Sequence, residues 1–499
     1  MPKMNCLTLG TVVSTDLTPT PSLMTFVISE LQARQSAEVG MFVQVVNPDN
    51  SIVLGVIESL VRTNKYFGNP DIIHGSASGL SPPQVYPSER WDYLVADARV
   101  LGMYRDGLQQ RATQPVIPGS GVEIIDPYIL KKFLGLDEGG LHLGRLRQMD
   151  VPIHISLDGL LQKHLAILSI SGGGKSYATS VIIEEILRRK PNSGRPALVL
   201  FDVHGEFSGL SNIPRHPDFP DAEVEVIDGS EIKIGVGNLS VSHFAKMQSN
   251  MSSAQIRELS KIIRRQKAKG ELMTIDTIIT EIRGTEMNQL VQEALLGWMG
   301  SLKGTQLFGY SESPDLEEKL SPGKLLVINL APVISLWKKQ LIVYYFLDRI
   351  FSLRRSRSVP PVVQFLEEAH QFCPEITTAA SKSIIETIAR EGRKFLCSLV
   401  LISQRPVNLS TTALSQCNSQ LILKILNPND LNYIGRTSEG ITADTLKMIT
   451  SLGVGEGLLT GQAVRYPIFL QVRPRISNSK FNEISMVKES KEFEKIFSR

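Results

Sequence analysis

The stretch Leu168–Ser180, LSISGGGKSYATS, constrains this chain more than any other. The phosphate-binding loop pattern is a glycine, four free positions, then Gly-Lys-Ser/Thr. The eight residues Ser169-Ile170-Ser171-Gly172-Gly173-Gly174-Lys175-Ser176 meet it everywhere except at the start, where Ser169 replaces the leading glycine. HLAILSIS before the loop has the composition of a short buried strand. After it, YATSVIIEEILRRK places Val181, Ile182, Ile183, Ile186 and Leu187 at helical spacing. A strand, a glycine loop and a helix in that order form a nest of backbone N–H groups, aided by the positive end of the helix. Gly172, Gly173 and Gly174 let the backbone approach phosphates closely. Lys175 would reach the β- and γ-phosphates and the Ser176 hydroxyl would hold Mg²⁺. Ser171 and Tyr177 complete the expected nucleotide-binding set. Ser169 is small, so modest strain or a slight shift is expected, and not loss of the site.

A chain of 499 residues suggests roughly three domains. Its 53 basic and 50 acidic residues argue neither for nor against a nucleic-acid partner, since a motor can concentrate its charge in a small channel. Cys6, Cys373, Cys397 and Cys417 are dispersed with no CxxC, which suggests neither a zinc site nor a disulfide framework. The start lacks the apolar core of a signal peptide. No run reaches the ~18 apolar residues of a membrane span. A cytoplasmic protein with reduced thiols and no membrane contact is expected.

Residues 7–105 are short apolar or alternating runs broken by turns, such as LTLGTVVST, LMTFVISEL and YLVADARVLG. They predict a small N-terminal β-barrel over 1–112. A Pro/Gly-rich connector is expected over 113–150. From there the pattern is α/β: HLAILSIS, PALVLFDV, KLLVINLAP, PVVQFLEEAH and LVLISQRP are strands between helices, implying a parallel doubly wound sheet. That core takes 151–241 and 306–475. A charged helical insertion interrupts it at 242–305, and a charged helical tail follows at 476–499.

A phosphate loop needs an acidic strand beside it. PVVQFLEEAH ends an apolar run with Glu367 and Glu368. Glu367 is placed to position Mg²⁺ and Glu368 to activate the attacking water. Successive side chains on a strand point opposite ways, so the two divide these roles only where the strand ends. LVLISQRP puts Gln404 at another carboxyl edge, where open α/β sheets bind ligands and an amide can sense a γ-phosphate. Asp202, His204 and Glu206 in FDVHGEF occupy a third such edge, with a structural or a site role left open. ETIAREGRKF spaces Arg390 and Arg393 on one helix face, with Glu386 four residues before Arg390. A multimeric NTPase draws an arginine from a neighbouring subunit. Arg393 is the first candidate and Arg390 the second. The basic clusters Arg264-Arg265-Lys267 and Arg354-Arg355-Arg357 are solvated faces or pore candidates.

Together the glycine loop, FDVHGEF, FLEEAH, AREGRKF, ISQRP and GVGEGLLTGQAVRYPIF resemble HerA-type DNA translocases of the HerA–FtsK superfamily. The resemblance covers most of the chain and implies a RecA-like P-loop NTPase core, with the N-terminal strands as the family's barrel. It implies a homo-hexamer around duplex DNA, driven by ATP with Mg²⁺, and partnership with a NurA-type nuclease in end resection and repair. It carries Lys175, Ser176, Glu367, Glu368, Gln404 and Arg393 into the roles above. Two departures stand out: Ser169, and Lys163 where relatives often carry an arginine acting across the subunit interface. A lysine keeps the charge but loses the bidentate fork. The alternatives are a non-motor nucleotide-binding ring that scaffolds a nuclease or defence effector, and a conjugation ATPase of the same superfamily.

Overall fold

The computed structural model describes residues 8–28, 37–64, 92–105, 107–248, 250–270, 272–438, 440–477 and 486–497. Cys6 and residues 478–485 of the charged tail lie outside them. The chain divides into two compact units. One comprises Met1–Glu138, Arg145–Ile153 and Val464–Phe469, the other Gly139–Gly144, His154–Ala463 and Leu470–Arg499.

The first unit holds β1 (Thr8–Val13), β2 (Leu23–Ile28), β3 (Phe42–Val46), β4 (Ile52–Asn64), β5 (Asp92–Arg105), β6 (Leu108–Gln110) and β7 (Gly121–Ile124). They pair antiparallel in the order β2-β1-β7-β3-β4-β5, and β2 closes the ring on β5. The result is a six-stranded barrel, with β6 added outside on β5. Alternation builds its core: on β2, Met24, Phe26 and Ile28 all point inward, and Val43, Val45, Ile57, Ala96 and Ala98 meet them. Burying an aliphatic or aromatic side chain of this size contributes about 1.5–3 kcal/mol. β7 corrects the sequence reading, which placed 113–150 outside the barrel. Its Val122 is fully buried, and it bonds to β1 on one side and β3 on the other. Four residues are too few for periodicity to distinguish from a linker.

The large sheet, which lies mostly in the second unit, comprises β8 (Leu141–Leu146), β9 (Pro152–Ile155), β10 (Leu165–Leu168), β11 (Ala197–Asp202), β12 (Glu223–Asp228), β15 (Lys324–Asn329), β16 (Val362–Leu366), β17 (Cys397–Ser403), β18 (Ser419–Ile422), β19 (Glu456–Gly461) and β20 (Ile468–Val472). Its order is β12-β15-β11-β16-β17-β10-β18-β19-β20-β8-β9. The run from β12 to β18 is parallel, and β19 is antiparallel to β18. β10, β11, β16 and β17 are buried at every residue, which explains their unbroken apolar sequences. Because these strands run the same way, their carboxyl ends gather on one edge. Helix α1 (Lys175–Leu187) follows β10.

β13 (Ile234–Gly235) and β14 (Phe308–Gly309) form a two-residue parallel ladder where a helical excursion leaves and returns. The excursion is α2 (Val241–Met247), α3 (Ser253–Lys269), α4 (Ile275–Gly284) and α5 (Gln289–Gly304). Helix α3 buries Leu259, Ile262, Ile263 and Gln266, a stripe at i, i+3, i+4 and i+7. Its exposed face carries Arg264, Arg265 and Lys267. Further on come α6 (Leu336–Ser356), α7 (Lys382–Glu391) and α8 (Met486–Phe497). No helix among the described residues is long and apolar enough to cross a membrane.

Candidate nucleotide site

The glycine loop runs from the end of β10 to the start of α1. Gly172 and Gly174 adopt φ of 73° and 96°, left-handed conformations that favour glycine. Ser169 has no such φ, so its backbone needs no glycine. Its amide donates to Ser403 O at 3.2 Å and its hydroxyl to Lys424 O at 3.3 Å. A Cβ placed on Gly173 would fall 2.1 Å from Ser169 Oγ. The Ser169 hydroxyl therefore fills space that Gly173 leaves open. No left-handed backbone is imposed on Ser169, and its hydroxyl lies beside Gly173, four residues further along the same loop.

Four side chains at or just beyond the ends of β11 and β16 complete this edge. Asp202 accepts the amides of Gly205, Glu206 and Phe207 at 2.7, 3.1 and 3.0 Å, which folds the loop after β11 back on itself. Glu367 is 2% exposed and accepts the Val203 and His204 amides at 2.6 and 3.2 Å. Burial, reinforced by Asp202 and Glu206, pushes its carboxyl up to about 9. Glu206 instead contacts the Ser176 hydroxyl directly. This shifts the expected division of labour: Glu367 braces the β11 loop, while Glu206 stands at the hydroxyl suited to Mg²⁺. The motif FDVHGEF contained the signal, but spacing alone could not say which of its acids turns inward.

Glu368 lies just past the end of β16 with a left-handed φ of 49°, so the strand ends before it and its side chain diverges from that of Glu367. Burial raises its carboxyl above the ordinary range, and Lys175 opposes the shift. Its Oε2 is buried and has no hydrogen-bond donor among the described residues. The nearby His370 Nδ1, at 3.3 Å, is turned to Ser403 Oγ at 3.1 Å. Burial brings His370 down to about 4, so it is neutral near pH 7. Lys175 Nζ donates to the Ile170 carbonyl at 3.2 Å.

These groups line one cavity of about 500 Å³. Ser171, Gly172, Gly174, Lys175, Ser176, Tyr177, Glu367, Glu368 and Gln404 face it, joined by His204 and Glu206. Gly173 turns instead toward Ser169 and Ile170.

Comparison with known proteins agrees with this geometry. Residues 141–350 match the central domain of helicase HerA. The DNA double-strand break repair helicase HerA of Pyrococcus furiosus is 26% identical over 509 residues, 90% of each chain. Its counterpart in Sulfolobus acidocaldarius is 26% identical over 93% of this chain and 95% of its own. The chain is thus similar to HerA helicases over most of its length. Among solved structures, VirB4 of Thermoanaerobacter pseudethanolicus superposes with a TM-score of 0.51 at 13% identity, over 68% of this chain and 97% of its own. Plasmid coupling protein TrwB, bound to a non-hydrolysable ATP analogue, gives 0.51 at 11% identity, over 71% and 94%. These share the RecA-like P-loop fold.

Lys163 and Arg393 stand apart from the cavity. Lys163 precedes β10 and Arg393 precedes β17, so both mark the amino-terminal edge of the sheet, opposite the glycine loop. Lys163 lines a second cavity of about 310 Å³ with Asn418, Gln420 and Thr460. Arg390 and Arg393 are exposed, and neither is ion-paired among the described residues. His164 ties the two regions together. Its Nδ1 accepts the Leu399 amide at 2.9 Å, and its Nε2 pairs with the Ala389 carbonyl at 3.0 Å. Burial lowers it to about 4. Glu386 accepts the Ser410 hydroxyl at 2.7 Å. One expectation is corrected here. Arg354 is buried, donating to the Phe395 and Val359 carbonyls, so it is neither a pore group nor a solvated one.

Sequence reasoning missed one network. Glu184, fully buried in α1, accepts the Ile476 amide at 3.0 Å, the Ser477 amide at 2.8 Å and the Ser477 hydroxyl at 2.7 Å. It also pairs with Arg473 at 2.9 Å, while Arg473 reaches Glu185 at 2.8 Å. In the sequence these acids are only polar positions on a helix.

Proposed function

We propose that this chain is the ATP-hydrolysing subunit of a hexameric ring that moves along duplex DNA and works with a NurA-type nuclease in end resection and repair. One observation carries the reading: Lys175, Ser176, Glu368 and Gln404, from three different strand ends, face a single cavity. ATP with Mg²⁺ fits these residues. Left-handed Gly172 and Gly174 aim backbone toward the cavity, and Glu368 Oε2 is a buried acceptor in want of a donor. Bound there, Mg²⁺ and the triphosphate supply the phosphoryl centre and neutralise its developing charge.

The chain's own groups do the rest. Lys175 exchanges the Ile170 carbonyl for phosphate oxygens. The Ser176 hydroxyl, with Glu206 against it, holds the ion. Glu368 orients the attacking water and takes its proton; burial raises its basicity, which favours that role. Gln404 follows the γ-phosphate. In a ring, Arg393 and Lys163 serve the pocket of the adjacent subunit. DNA as the track is supported by relatives that are named double-strand break repair helicases. Binding through phosphates would be sequence-independent and salt-sensitive. Of the two departures that favour a nucleotide-locked scaffold, Lys163 stands and Ser169 weighs less, since its backbone takes no left-handed φ.

The test is ATP hydrolysis by wild type and Glu368→Gln, each with and without linear duplex DNA. Turnover that DNA stimulates and the substitution abolishes supports the motor. Nucleotide binding without hydrolysis above that of the variant overturns it and leaves the scaffold. For the nuclease, co-elution with a NurA-type protein on gel filtration is expected, and separate elution counts against the partnership.

A further inference from the structure

Within the nucleotide reading just given, we propose that Tyr177, backed by Arg475, is a stacking shelf for the nucleobase on the wall of the cavity. Tyr177 lines that cavity in the first turn of α1, two residues beyond Lys175. The Arg475 guanidinium packs over the Tyr177 ring, 5.2 Å from its centroid. The Tyr177 hydroxyl accepts the Arg475 amide at 2.9 Å. The ring is thus fixed at its tip and on one face, and both residues stay partly open to solvent.

Local sequence does not hold the segment 473–477 in place. The buried Glu184 does, through Ile476, Ser477 and Arg473. Because Glu184 belongs to the helix that begins at Lys175, shelf and phosphate cradle form one rigid piece. The strand β20, which leads into Arg473, reaches the loop from another side through Gly455. A Cβ on Gly174 would meet Gly455 N at 3.4 Å, and the Gly455 carbonyl accepts the Val472 amide at 2.8 Å.

The loop amides and Lys175 suit the phosphates. What remains of a nucleotide is a sugar and a flat heterocycle, and an aromatic ring backed by a guanidinium recognises a planar base by its face. A shelf of this kind strengthens nucleotide binding without touching a phosphate.

That separation supplies the test. The full chain is titrated calorimetrically, with Mg²⁺, against a non-hydrolysable ATP analogue and against inorganic tripolyphosphate. Tyr177→Ala and Arg475→Ala are each expected to weaken the analogue roughly tenfold and to leave tripolyphosphate unchanged. Tyr177→Phe keeps the ring but loses its bond to the Arg475 amide, and should bind the analogue between wild type and Tyr177→Ala. Alanine variants that bind the analogue like wild type overturn the shelf. Alanine variants that lose tripolyphosphate equally also overturn it, since the role is then only structural. Wild type that binds neither probe refutes the nucleotide reading itself.

Discussion

Glu367 stores an electrostatic cost that pH can expose. Folded, its carboxyl titrates near 9; unfolded, it returns to the ordinary glutamate value of about 4.3. Between those values the folded state binds more protons than the unfolded one, so stability falls as pH rises through the window. Glu367→Gln keeps an oxygen for the Val203 and His204 amides and removes the titration. Thermal melts from about pH 5 to about pH 9 should therefore show a shallower decline in the variant than in wild type. Parallel declines would mean that another group carries the dependence. The sequence made Glu367 and Glu368 visible as a pair. It did not reveal that one would hold a neighbouring loop while Glu206 took the place beside Ser176, because that choice depends on where the chain after β11 turns back.

At the scale of elements, the glycine loop makes a sharper prediction. Gly173→Ala places a methyl 2.1 Å from Ser169 Oγ and should abolish nucleotide binding. Adding Ser169→Gly removes the obstacle and should restore binding in large part. Equilibrium titration of the two single variants and the double tests this coupling. Strict additivity would show that Ser169 and Gly173 do not share that space. The loop itself was legible because its pattern, its strand and its helix agree. Its tolerance of Ser169 was not, since the serine's partner is the Lys424 carbonyl, 255 residues away. The Arg473–Glu184 pair spans 289 residues and was equally hidden. β7 escaped for the opposite reason, being too short to show a period.

For the whole molecule, the alternation of strands and helices was enough to imply a parallel sheet, and the N-terminal turn spacing enough to imply a barrel. Neither told which edge each cation would occupy. β10 is only four residues long, with the glycine loop at one end and Lys163 just before the other. Under the ring proposed above, every subunit is therefore two half-sites facing different neighbours. A Glu368→Gln subunit has a dead pocket but an intact arginine, and an Arg393→Ala subunit has the reverse. Each variant alone should be inactive. Co-assembled, the two should regain hydrolysis at the minority of interfaces where the good halves meet. Failure to complement in mixed rings would place Arg393 outside its neighbour's chemistry. In a cell carrying both alleles, two defective copies of this gene would then rescue each other.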